Sequence, residues 1–170
     1  MATSRRTFLK AGGIAALVLA AGGGIYRFTR PPALPRRFVL DGDAKGVIDA
    51  LVPAMLGTAL PQDLAVRAAA TERVHQAIAG LTLVAQKEVQ DLFGLLALAP
   101  TRRFVAGIPD GWAKASPEQL AAFLQSWRTH RFGMLQSGYH ALHDLIYGAW
   151  YGDPVSWAAI GYPGPLKELA

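Results

Sequence analysis

The chain of 170 residues contains no cysteine. This absence excludes disulfide bonds, thiolate metal centres, covalent attachment of c-type haem and iron–sulfur clusters within the chain. A small domain without these cross-links depends for its stability on packing or on a partner chain. The stability of this domain must therefore come from its packed core or from an interface with another chain.

Acidic residues are missing from the first part of the chain. Seven of the 17 basic residues precede Phe38, and no acidic residue does. From Phe38 onward there are ten basic and twelve acidic residues, so the overall charge of +5 comes from the N-terminal region alone. A nucleic-acid-binding domain keeps its positive charge in the folded body. We therefore expect no nucleic acid among the partners.

Glycine-rich nucleotide loops are also missing. The run of glycines at positions 22–24 lies in an uncharged N-terminal stretch with no strand before it, and neither GxxxxGK nor GxSxG occurs. We expect no catalytic residue and no cofactor in this chain.

Hydrophobic residues make up 52% and charged residues only 17%. This excess of apolar residues favours a buried interface with another chain.

The N-terminus carries the first informative motif. Ser4 is followed by two arginines, Thr7, Phe-Leu-Lys and sixteen uncharged residues at positions 11–26. This pattern is typical of a twin-arginine export signal, which the twin-arginine translocase reads and which carries proteins across the membrane already folded. An ordinary basic N-terminus is the alternative. The residues expected to form the signal are Arg5, Arg6, Phe8, Leu9 and Lys10.

The signal divides the chain into three parts. Residues 1–26 are predicted to be the signal or a membrane anchor, residues 27–37 a linker rich in proline and arginine, and residues 38–170 the folded domain. The uncharged run is shorter than the roughly 20 residues of a spanning helix and contains five glycines. Cleavage and retention as a tether both stay open. The predicted location is the periplasm, with attachment to the inner membrane if the segment is retained.

The domain is predicted to be all-α, with about five helices. Apolar spacing and breaker residues place them at residues 44–56, at 62–79, at 83–98, between Ser116 and Gly133, and at 134–150. Pro53 is expected to kink the first helix or to end its first part, Pro100 to close the third, and residues 101–115 to be irregular. Ser116 and Gln119 predict a capping box. The helix that follows is expected to bury one apolar face, and the last helix another. These faces are Leu120, Phe123, Leu124 and Trp127 in the first of the two, and Leu135, Tyr139, Leu142, Ile146 and Trp150 in the second. The second helix is expected to bury Leu64, Ala68, Val74 and Ile78, and the third to bury Val84 and expose Gln86.

The C-terminal segment is the second informative stretch, because it combines aromatic residues with residues that restrict or permit turns. Large aromatic side chains on a preordered loop are typical of interface hot spots. Sealing of the helical core is the alternative. The residues predicted to form a partner interface are Trp150, Tyr151, Pro154, Trp157, Ile160, Gly161, Tyr162, Pro163, Gly164 and Pro165.

This C-terminal pattern, Trp-Tyr, a short spacer, Pro, Trp and then Ile-Gly-Tyr-Pro-Gly-Pro, resembles the signature of subunit 3 (the gamma or small subunit) of gluconate 2-dehydrogenase and related FAD-dependent sugar dehydrogenases. The helix that begins Ser-Pro-Glu-Gln and continues Leu-x-x-Phe-Leu-x-x-Trp is similar to that family's too. The family commonly has Tyr-Tyr where this chain has Trp150 and Tyr151, and many members contain cysteine.

The resemblance implies a non-catalytic accessory subunit. In the family the small subunit carries the twin-arginine signal for a large flavoprotein of the glucose-methanol-choline type, which binds FAD, docks on the small subunit and is exported with it. A membrane-bound multihaem cytochrome c often accepts the electrons. The expected partners are therefore this flavoprotein and, in some complexes, the cytochrome.

Three histidines support a different interpretation. His140 and His143 are one helical turn apart, and His130 precedes them by ten residues. Histidines at this spacing can bind a metal if a third ligand converges. The alternative function is thus a free-standing periplasmic helical domain that binds a small ligand or a metal through these residues. Most pairs of this kind are instead polar helix surface, so no metal ligand is assigned.

Overall fold

The computed structural model describes residues 37–165. This part of the chain is all-α, as predicted, and contains no strand. The first four α-helices are α1 (Gly42–Leu56), α2 (Leu64–Ala79), α3 (Leu83–Ala97) and α4 (Ala99–Phe104). They are followed by α5 (Pro117–Arg128), α6 (Gly133–Tyr151) and α7 (Pro154–Trp157). Short 3₁₀ turns lie at Gly57–Ala59, Trp112–Lys114 and Ala158–Ile160.

Helix α1 lies at the centre of the domain and contacts α2, α3, α5 and α6. The Asp41 carboxylate caps it by accepting the backbone N–H of Ala44 at 2.8 Å, and Gly57 ends it with φ 53°. Pro53 lies inside the helix without ending it. The buried residues of α1 face every neighbouring helix, which explains why this segment is apolar on more than one side. They are Ala44, Val47, Ile48, Leu51, Val52 and Leu56.

The buried face of α2 differs from the predicted one. Val74 and Ile78 are buried as expected, together with Ala70 and Thr71, but Ala68 is exposed and Leu64 is 81% exposed. At about 100° per residue, positions 64 and 68 lie roughly 80° and 120° away from position 74 around the helix. Asp63 caps this helix through the N–H groups of Ala65 and Val66, so the helix begins after Pro61 and Gln62.

Helix α3 also buries a different face. Val84 is 58% exposed, whereas Gln86 is only 4% exposed and Val89, Phe93 and Leu96 complete the buried face. The prediction that Gln86 faces solvent was wrong, because its amide is fully used inside the domain. It accepts the N–H of Phe38 and donates to the carbonyls of Ala79 and Leu81 at 2.9–3.0 Å.

The segment after α3 is more ordered than predicted. Leu98 ends α3, and Pro100 lies in the first turn of α4, where a missing N–H has no cost. Trp112 is buried and its indole N–H donates to the carbonyl of Leu96 at 3.1 Å. Residues 101–115 are therefore only partly irregular, because Thr101, Ala106, Ile108 and Trp112 are all core residues.

Helices α5 and α6 confirm the sequence-based expectations most closely. The capping box of Ser116 and Gln119 is present in both directions, and α5 buries Leu120, Phe123, Leu124 and Trp127. Helix α6 buries Leu135, Leu142, Ile146 and Trp150 against its neighbours α2 and α5. No helix within residues 37–165 is long and apolar enough to cross a membrane.

Candidate interface at the C-terminal segment

The C-terminal segment, residues 150–165, begins inside helix α6. Trp150 is a core residue with 5% exposure, and the guanidinium of Arg73 lies 5.9 Å from its ring centroid. Tyr151 is half-buried, and its ring lies 5.8 Å from that of Tyr147. These two residues hold the start of the segment in the domain. Trp150 offers almost no surface of its own to another chain.

Asp153 joins the segment to the body of the domain. One oxygen of its carboxylate accepts the N–H of Val155 at 2.9 Å and so caps α7, and the other accepts Arg73 Nε at 2.6 Å. Its backbone carbonyl accepts both the N–H and the hydroxyl of Ser156. The Val155 N–H, and then the Arg73 guanidinium, hold the pKa of the Asp153 carboxyl below its usual value.

Trp157 organises the rest of the segment. Its indole N–H donates to the carbonyl of Tyr151 at 2.9 Å, and its own carbonyl accepts the N–H of Tyr162 at 3.0 Å. The rings of Trp157 and Tyr162 meet edge to face at 5.1 Å. Gly161 makes the necessary turn with φ 69°. A Cβ at Gly164 would lie 3.2 Å from the Trp157 ring, so the chain folds back closely onto this indole.

The outer surface of this fold is apolar and uncharged. No Asp, Glu, Lys or Arg occurs from position 154 to position 165. Val155 is 56% exposed, Ile160 53% and Tyr162 45%. Pro154, Gly161, Pro163 and Pro165 are exposed around them, and Gly164 and Trp157 are half-buried. The segment thus presents aliphatic and aromatic surface on a backbone that internal hydrogen bonds already hold in place.

The structure adds Arg73, Asp153 and Val155 to the residues predicted from the sequence. Asp153-Pro154 is a recognisable helix start, with a capping side chain followed by proline at the first helical position. That signal identifies Asp153. Nothing in the sequence identifies Arg73, because it lies 80 residues away.

A stripe of aromatic rings leads along α6 towards this segment. His143 stacks on Tyr147 at 4.3 Å, and Tyr139 and Tyr151 continue the line on either side at four-residue spacing. The Tyr147 hydroxyl donates to the carbonyl of Met55 at 2.7 Å. Burial, with the neighbouring phenols of Tyr151 and Tyr139, raises the pKa of Tyr147 above its usual value. This regular four-residue spacing, which places the rings on one side of the helix, is visible in the sequence.

The three histidines of the alternative interpretation have separate partners. His130 Nδ1 lies 3.1 Å from the N–H of Phe132, and His143 Nδ1 lies 3.0 Å from Asp144 Oδ1. His140 is exposed beside the Tyr139 ring. Among the described residues, no group of three His, Asp or Glu side chains is placed to hold a metal ion.

The residues of the export signal, Arg5, Arg6, Phe8, Leu9 and Lys10, lie outside the described residues, as does the linker up to position 36. Comparisons with known proteins add no assignment. No protein-family model, no curated protein and no solved structure matches this chain.

Proposed function

We propose that this chain is the non-catalytic small subunit of an exported dehydrogenase complex, in which a large FAD-dependent flavoprotein of the glucose-methanol-choline type is the catalytic partner. In this role the chain supplies the twin-arginine signal and stabilises the flavoprotein. FAD belongs to the partner, and a multihaem cytochrome c subunit accepts the electrons in complexes that contain one.

The observation that carries the proposal is the C-terminal segment itself. Val155, Ile160 and Tyr162 expose apolar surface, while Trp157 and Asp153 fix the backbone that presents them. Binding to such a surface releases water from apolar groups and orders little additional chain, so the entropic cost of association is small. Tyr is also among the residues that most often dominate the binding energy at interfaces.

The N-terminal motif also supports the proposal. A twin-arginine signal serves proteins that cross the membrane after folding. A flavoprotein that binds FAD before export must cross the membrane in this folded state. A chain with this signal and an apolar, preordered surface is suited to carry a folded flavoprotein that lacks a signal. The interface then lies at residues 151–165, with Trp150 acting from the core as support.

The test compares two arginine pairs in the same chain. Arg5→Lys with Arg6→Lys alters the proposed signal, whereas Arg36→Lys with Arg37→Lys makes the same change in the linker. The tagged chain is purified from periplasmic and cytoplasmic fractions of its own cells, and the co-purifying FAD is measured by fluorescence. Flavin should leave the periplasm in the first variant only. Periplasmic flavin that survives the first change, or that is lost equally in both, contradicts the escort role.

A further inference from the structure

Gln86 holds the first described residues of the chain against the turn between α2 and α3. It accepts the N–H of Phe38 at 2.8 Å and donates to the carbonyls of Ala79 and Leu81 at 2.9–3.0 Å. Because Gln86 is buried and all of these bonds go to the backbone, it fixes Phe38 beside the end of α2 and the start of α3.

A cavity of about 520 Å³ opens beside this contact. A water molecule occupies about 30 Å³ in the liquid, so the cavity is far too large for one bound water. Its volume lies in the range of sites that bind small organic molecules. The residues that line it are Arg37, Phe38, His75, Ala79, Leu83 and Gln86.

One part of the cavity wall is apolar. Phe38 is only 6% exposed, and its ring centroid lies 5.9 Å from that of His75. Ala79 is exposed at the end of α2, and Leu83 is 47% exposed at the start of α3. Gln86 adds no free polar group, because the backbone already uses its amide. Phe38, Ala79 and Leu83 thus offer hydrocarbon surface to a ligand.

The polar part of the wall consists of the Arg37 guanidinium and the His75 imidazole. Arg37 is exposed, and no carboxylate within residues 37–165 forms an ion pair with it. His75 Nδ1 lies 3.5 Å from Glu72 Oε1. The Glu72 side chain is 54% exposed and does not line the cavity, so water weakens the effect of its charge there. A ligand with one negative charge therefore complements the wall.

We propose that this cavity binds a small monocarboxylic acid with an aliphatic chain. The carboxylate pairs with Arg37, whose planar fork of N–H groups matches the two carboxylate oxygens. The chain lies against Phe38, Ala79 and Leu83. A phosphate monoester is a poorer match, because it carries nearly two charges at neutral pH and the wall supplies one cation. The inference goes beyond the dehydrogenase proposal and does not depend on it.

Octanoate, octanol and octylammonium test the proposal, because they share one chain and differ in the head group. Binding of each probe to the purified full chain is measured by ligand-observed NMR, at concentrations below those at which the probe forms micelles. Octanoate should bind about ten-fold more tightly than octanol, since a hydrogen bond to a charged group contributes more than a neutral one. Octylammonium should bind most weakly, because Arg37 repels it.

Two pairs of variants locate the binding. Arg37→Gln should remove the preference for octanoate and leave octanol binding unchanged. Arg103→Gln, at an exposed arginine on α4 that does not line the cavity, should change neither. Ala79→Trp should block both probes, because an indole at this exposed position fills the cavity. Ala122→Trp, at an exposed position on α5, is its control and should block neither.

Four results overturn the proposal. They are no binding of any probe, equal binding of octanoate and octanol, a preference for octanoate that survives Arg37→Gln, and octanoate binding that survives Ala79→Trp.

Discussion

Arg73 Nε and Asp153 Oδ2 lie 2.6 Å apart although 80 residues separate them in the sequence. The pair joins the middle of α2 to the residue that precedes α7, and the guanidinium also lies over Trp150. Since Asp153 caps α7 as well, one carboxylate both starts the final helix and attaches it to the body. The exposed surface at Val155 and Tyr162 is therefore positioned by a residue far away in the chain.

Asp153→Asn tests this attachment. Asparagine caps helices as well as aspartate does, so the change removes the charge and leaves the cap. The loss of a half-exposed charged hydrogen bond should cost about 1 kcal/mol, or roughly a five-fold rise in the opening of the segment. Hydrogen exchange at the Tyr162 amide, which binds the Trp157 carbonyl, measures that opening directly.

The matched control for this change is Asp63→Asn. Asp63 caps α2 through the N–H groups of Ala65 and Val66. We expect exchange at Tyr162 to rise in the Asp153 variant and to stay unchanged in the Asp63 variant. Equal exchange in the two variants would mean that the ion pair does not hold the segment.

The attachment should also depend on pH in a defined direction. The pKa of Asp153 is lowered in the folded state, so its contribution to stability is complete above the ordinary value of about 4 and is lost as the pH falls through the lower folded value. The indole N–H resonance of Trp157 reports on the segment through its bond to Tyr151. It should be constant from neutral pH to about pH 5 and move below about 4.

The same titration in the Asp153→Asn variant should show no such movement. A change centred near pH 6.5 in either protein points to a histidine and not to Asp153 as the titrating group.

Tyr162→Ala tests the proposed interface. Tyr162 is 45% exposed and its ring meets that of Trp157 edge to face, so its truncation should leave the free energy of unfolding nearly unchanged. If it is a hot spot, capture of the flavoprotein should weaken by roughly 1–4 kcal/mol. Phe104→Ala is the control, because Phe104 is 71% exposed and lies outside the segment. Retained flavin together with a lower melting temperature would identify Tyr162 as a core residue.

Trp150→Ala should behave in the opposite way. Its side chain is 5% exposed, and truncation of a buried tryptophan costs about 3–5 kcal/mol of folding stability. Denaturant unfolding of the Trp150→Ala and Tyr162→Ala variants distinguishes a residue that stabilises the domain from one that contacts the partner. A Trp150 variant with unchanged stability would remove it from the core and return it to the surface of the interface.

Gly138→Ala should destabilise the contact between α5 and α6. A Cβ there would lie 2.7 Å from Trp127 Cζ3, and Trp127 is only 2% exposed, so its ring has no free space to move into. Overpacking of this kind costs about 1–3 kcal/mol. Gly148→Ala in the same helix has no atom within 4 Å of the new Cβ and should stabilise by about 0.4–1 kcal/mol. Thermal unfolding that ranks the two variants in the reverse order contradicts this packing.

Local signals explain which parts of the fold were predictable. The capping box at Ser116 and Gln119 and the apolar stripe of α5 depend only on neighbouring residues, and both were predicted correctly. The buried face of α2 was not, because its apolar residues occur on several sides and tertiary contacts select Ala70, Thr71, Val74 and Ile78. Gln86 was assigned to solvent for a similar reason. A polar side chain can be buried when backbone groups satisfy it, and those groups are the N–H of Phe38 and two carbonyls at the end of α2 and in the α2–α3 turn.

The candidate interface was also predictable only in part. Its aromatic residues, its prolines and its glycines are visible in the sequence, and so is the lack of charge from position 154 to 165. Which of them point outward is decided by packing. Trp150 faces the core because it follows Leu142 and Ile146 on one side of α6, whereas Ile160 and Tyr162 come after the chain has turned. The link from Arg73 to Asp153 required the folded structure.

The most direct test of the central claim is purification of the chain from its own cells with a tag after Ala170, followed by an absorption spectrum. The account predicts the visible bands of bound flavin together with a co-purifying chain several times larger than this one. The flavin should be reduced by Tyr162→Ala and kept in Phe104→Ala. A colourless protein that purifies alone in every variant contradicts the account.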